Sequence, residues 1–99
     1  MHLLYDQKPV SIFTTSTDTK IGVEFCNVKM KMKPCQFRHF HYYLDNLGKK
    51  LDDKTESIDL LLVKDSLNIQ ISLNHFLLLC QAVQSVMQKK FKNKNFYQN

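Results

Sequence analysis

The second half of this chain repeats the apolar pattern of the first at an offset of 39 positions, from residue 21 to residue 60. Ile21, Val23, Val28, Met30, Met32, Phe37, Phe40, Leu44 and Leu47 are answered by Leu60, Leu62, Leu67, Ile69, Ile71, Phe76, Leu79, Val83 and Val86. Polar positions correspond too: Lys29 with Asn68, Lys31 with Gln70, Lys33 with Ser72. In each half the apolar period is two and then becomes three and four, as expected of strand, strand, helix. This predicts an α+β fold in two layers, an antiparallel sheet of four to five strands with both helices on one face. A pseudo-two-fold axis would relate 21–47 to 60–86. Phe37/Phe76 is the single identical pair among these, so descent from a duplication stays open.

The chain of 99 residues is read as one domain, 1–99, with repeat units at about 20–48 and 58–91 and a polar connector at 48–57. Val10-Ser11-Ile12-Phe13 alternates after Pro9 and predicts a short, edge-like first strand. Strands are expected at about 20–25 and 28–32, and Lys33-Pro34 opens a helix because proline suits its first position. Gly48 stands where a helix-terminating glycine would. Strands at about 58–63 and 67–71 follow, and Ser72 is the expected N-cap of a helix reaching residue 90 or 91. Residues 92–99 are a basic tail expected to fray.

Three cysteines, Cys26, Cys35 and Cys80, without a close-spaced pair, argue against a disulfide scaffold or a zinc site. Cys80, beside Leu79, is expected to be a buried thiol. No apolar run approaches the roughly 20 residues of a membrane span, and the first residues lack a signal-peptide pattern, so a cytoplasmic address is expected. The net charge of +5 raises a nucleic-acid reading. Its candidate residues are Lys29, Lys31, Lys89, Lys90, Lys92 and Lys94, the last four in a tail that interleaves lysine with aromatics. Arg38 is the only arginine, whereas base recognition leans on arginine's bidentate fork, so this reading ranks second.

The polar clusters carry no catalytic or metal-binding pattern. His39 and His41, two apart on a helix, point in largely opposite directions and cannot share a metal. Arg38 to Tyr43 is better read as a mixed solvated face or a contact surface. His75 has no partner identifiable from spacing. Asp52, Asp53, Glu56 and Asp59 lack the glycine and spacing of a calcium loop. No phosphate-binding glycine loop or nucleophile elbow occurs. No cofactor is expected, and an enzyme is the third-ranked class.

Ile21-Gly22-Val23-Glu24-Phe25-Cys26, then Met30 to Phe40, followed by Ile69-Gln70-Ile71-Ser72 with Phe76 and Leu79, resembles a family of small uncharacterised bacterial proteins, chiefly of Bacteroidota. Its pattern is a strand ending in Phe-Gly, a second strand, then Ser or Thr with an acidic residue before a Phe-x-x-Phe helix. The resemblance spans about residues 21–87 and implies the fold; the family carries no activity to transfer. Here Cys26 replaces the glycine, Gln36 and His75 replace acidic residues, and the paired cysteines often preceding the first strand are absent.

The expected function is a small non-enzymatic interaction module, self-associating as a homodimer, with a basic nucleic-acid-associated protein as the alternative. Surplus apolar positions in the second half locate the candidate interface. At the 39-residue offset Gly22 is matched by Leu61, Glu24 by Val63, Arg38 by Leu77 and His39 by Leu78. Exposed apolar surface of this kind marks contacts.

Overall fold

The structure, a computed structural model, describes residues 2–15, 19–62 and 64–91. Among these residues six strands and two helices follow one another as β1 (His2–Gln7), β2 (Val10–Thr14), β3 (Ile21–Phe25), β4 (Val28–Met32), α1 (Pro34–Gly48), β5 (Ser57–Leu62), β6 (Leu67–Ser72) and α2 (Leu73–Val86). A π-helical turn, Met87–Phe91, closes the described chain. The class is α+β, with a four-stranded antiparallel sheet in the order β1-β2-β3-β4. The second hairpin, β5-β6, forms a two-stranded sheet of its own. The two ββα-like units, β3-β4-α1 and β5-β6-α2, therefore differ in setting.

Alternation decides the faces of the larger sheet. Rows Val10–Phe25–Val28, Ile12–Val23–Met30 and Thr14–Ile21–Met32 run across it. Val10, Ile12, Ile21, Val23, Phe25 and Met32 are buried. The other face carries Ser11–Glu24–Lys29 and Phe13–Gly22–Lys31. Gly22 on that face leaves room for the Phe13 ring, which lies across it. A Cβ built there would meet ring carbons at 2.5 Å, well inside van der Waals contact.

Phe37, Phe40 and Leu44 form the buried stripe of α1; Phe76, Leu79, Ala82, Val83 and Val86 form that of α2. All join the sheet's inner face and Ile58, Leu60 and Ile71 of the second hairpin in one core. Ser72 caps α2 as expected, its Oγ accepting from the His75 N–H at 3.1 Å. At the start of α1 the Lys33 N–H donates to Gln36 Oε1 at 2.8 Å.

Three expectations need correction. The first strand is not at an edge, because His2–Gln7 pairs with its outer side and makes it internal. Gly48 does not end α1 in a left-handed turn. No described glycine has positive φ, and Lys49 closes the helix in right-handed geometry, its N–H reaching Asp45 O at 3.2 Å. The offset of the repeat is also not uniform. Helices and second strands correspond at 39, but the ladders pair Val23 with Met30 and Leu60 with Ile69. Val23 therefore matches Leu60, and Ile21 matches Ile58, two positions earlier than a uniform offset of 39 requires. The connection between β5 and β6 is longer than the Cys26-Asn27 turn and takes up the difference. A shift of two keeps every side chain on its face, which is why the sequence match looked continuous.

Candidate functional site

Helix α1 stands between two surface clefts, and its own periodicity assigns residues to each. Gln36, His39, Phe40 and Tyr43 face one side; His41, Leu44, Asp45 and Gly48 face the other. The first cleft is a groove of about 540 Å³ whose walls are strands, Met30, Lys31 and Met32 of β4 and Leu61 and Leu62 of β5. The Tyr43 hydroxyl crosses it to accept the Leu61 N–H at 2.7 Å. The Leu61 amide thus points away from β6, so among the described strands this side of β5 is an edge, as is the outer side of β4. The groove lies between two sheet edges with a helix beneath.

The second cleft, about 220 Å³, lies between α1 and α2. Leu44, Leu51, Phe76, Leu77 and Cys80 supply its apolar lining. His41 belongs to this cleft, and its Nδ1 is buried without a hydrogen-bond partner among the described residues. Its ring lies 5.7 Å from that of Tyr42 on the exposed crest of α1. Burial, reinforced by the negative charge of Asp45, pushes the Cys80 thiol up to about 11. Cys80 is half-buried and protonated at neutral pH, which suits a lining residue and not a nucleophile.

The candidate interface residues are dispersed. Leu61, 44% exposed, belongs to the β4/β5 groove, and Leu77, 48% exposed, to the interhelical cleft. Leu78 lies about 100° further round α2 and is half-buried. Val63 lies outside the described residues. With the ladder offset, Glu24 corresponds to Leu61 and Gly22 to Asp59. Leu61 is then the lone apolar residue on the outer face of β5, beside Ser57 and Asp59.

The described candidate lysines do not pool. Lys29 and Lys31 lie on β4, one edge of the four-stranded sheet. Lys89 lines a cleft with Leu3 to Gln7 of β1, the opposite edge, and Lys90 another with His2 to Leu4. Three strand spacings, roughly 14 Å, separate the two edges. Lys92 and Lys94 lie outside the described residues.

One contact was not legible from spacing. Cys26 Sγ lies 3.6 Å from His75 Nδ1, joining the β3–β4 turn to the first turn of α2. Cys26 has a left-handed backbone, φ 54°. The two residues are 49 apart in sequence, and neither sits in a motif that pairs them.

Among the described residues no group of His, Cys, Asp and Glu is arranged to hold a metal, and no helix is long and apolar enough to cross a membrane. The acidic connector is an ordered turn in which Asp52 Oδ1 accepts from the Lys54 N–H at 2.9 Å and the Thr55 hydroxyl at 3.0 Å. No family model, no curated protein and no solved structure matches this chain.

Proposed function

We propose that this protein is a small non-enzymatic interaction module that self-associates as a homodimer through the face formed by α1 and α2. The observation that carries this reading is Leu77. It stands 48% exposed on the rim of an apolar cleft lined by Leu44, Leu51 and Phe76. A knob beside its own hole suits two-fold association, since each copy can place its leucine in the other's cleft. Tyr42, 59% exposed on the crest of α1 beside His41, is a further exposed aromatic on the same helix. Burying the exposed part of Leu77 contributes roughly 1 kcal/mol per copy, so the dimer is a modest one. The separation of Leu61 from Leu77 narrows the interface to the helical face. Dispersal of the lysines to opposite sheet edges keeps nucleic-acid association in second place.

The likeness to the small bacterial family belongs to this proposal too. The left-handed backbone at Cys26 is one that the family's glycine adopts without strain. Light scattering tests the dimer: the wild type should have twice the monomer mass at submillimolar concentration, and Leu77→Glu should be a folded monomer. A wild type that stays monomeric at 1 mM, or a dimeric Leu77→Glu, overturns it.

A further inference from the structure

Among the described residues strand β4 is paired on one side only, and the ladder fixes its hydrogen-bonding direction. The Cys26 N–H donates to Pro9 O at 3.1 Å, so the 9–26, 11–24 and 13–22 positions are the bonded pairs between β2 and β3. Alternation then turns Phe25, Val23 and Ile21 toward β4, where they bond Val28, Met30 and Met32. The main-chain N–H and C=O of Lys29 and Lys31 consequently point outward, away from the sheet. Below that edge lies the groove floored by Phe40 and Tyr43; above it, on the solvent face, stand the Lys29 and Lys31 side chains, both exposed.

We propose that this edge docks an extended acidic segment of a partner protein, which adds to the four-stranded sheet as a fifth strand. Strand addition supplies affinity through main-chain hydrogen bonds and specificity through alternate side chains. Here the alternation is written on β4 itself. Partner residues facing down enter the groove beside Met30, Met32, Phe40, Tyr43 and Leu61 and are apolar. Those facing up stand across from Lys29 and Lys31 and are Asp or Glu, since opposite charges directly across a ladder attract. Lys31 is the stronger determinant, because its neighbour on β3 is Gly22, which carries no carboxylate, whereas Lys29 already faces Glu24.

A second copy of this chain is the poorer occupant of the same edge. Antiparallel pairing of β4 with β4 about Met30 would set Lys29 of each copy against Lys31 of the other, and like charges directly opposite repel. Lysines commonly guard edge strands against self-pairing. Guarding alone, however, would not call for an apolar groove beneath the edge. An acidic, alternating partner uses both features.

The experiment is fluorescence anisotropy with a labelled Glu-Val-Glu-Val-Glu-Val-Glu peptide. The wild type and the Leu77→Glu variant should bind it alike and saturably below about 1 mM, so failure of the dimer reading would not touch this one. The peptide with lysine in place of glutamate should bind at least ten-fold more weakly. Lys31→Glu, whose fold is checked by circular dichroism, should weaken the glutamate peptide at least five-fold and improve the lysine peptide. N-methylation of the amides on one edge of the peptide should abolish binding, and on the other leave it intact. Equal binding of both charge forms, indifference to N-methylation on either edge, or no saturation at 1 mM would overturn the proposal. So would displacement by an oligothymidylate of equal charge that is itself insensitive to Lys31→Glu.

Discussion

The two ββα units share a pattern and differ in what holds them. β3-β4 is a hairpin with a two-residue turn, supported laterally by β2 and β1, and α1 contributes three buried side chains, Phe37, Phe40 and Leu44. β5-β6 has no flanking strand among the described residues and a longer turn in which Lys64 and Asp65 both have positive φ. An isolated two-stranded hairpin is marginal in water. Its inner face is instead held by α2, which contributes five buried side chains and packs on β1 and β2 of the larger sheet as well as on β5 and β6. The first unit is stabilised by its sheet and the second by its helix. Equivalent positions in a structural repeat can therefore carry unequal energetic weight.

The largest expected effect tests that inequality. Phe76→Ala, at a site with no exposure, removes a ring from the helix that ties both sheets together and should cost about 3–5 kcal/mol. That is a large part of the stability of a domain this size. Phe37→Ala, the matched position on α1 and equally without exposure, should cost less, about 3 kcal/mol, because its unit is also held by the flanking strands. Urea unfolding at equal concentration reads both, and equal losses would break the contrast between the units. A second, smaller effect compares matched strand positions. Gly22→Ala drives a methyl group into the Phe13 ring and should destabilise by about 1–3 kcal/mol. Asp59→Ala, its exposed counterpart on β5, should stay within about 0.5 kcal/mol.

The smallest effect concerns the cysteines of the two helices. Cys35 on α1 is exposed, while Cys80 on α2 is half-buried with its thiol raised from 9.0 to about 11. Iodoacetamide at pH 8 should label Cys35 first, with Cys80 following as the pH nears 11. A raised folded-state value means that the native state holds the proton more tightly than the unfolded chain. The associated stability is complete below pH 9 and is lost as the pH rises through about 11. Unfolding midpoints across that window should fall less in Cys80→Ala than in the wild type.

Periodicity alone was enough to place the helices, the β3-β4 hairpin, the Ser72 cap and the apolar faces, because a strand repeats every two residues and a helix every 3.6 whatever surrounds it. It was enough for the solvent face of β4 as well, where Lys29 and Lys31 alternate with Met30 and Met32. The same periodicity hid the two-residue shift between β3 and β5, since such a shift leaves every face unchanged. Which strands flank which depends on contacts distant in sequence. The position of β1 outside β2, the separate β5-β6 sheet and the Cys26–His75 contact were settled only when the core assembled. The groove is of this kind: its lining comes from β4, α1 and β5, and neither Tyr43 nor Leu61 signals the other in the sequence. Local pattern determined which side chains turn inward, and packing around α2 decided which edges were left open.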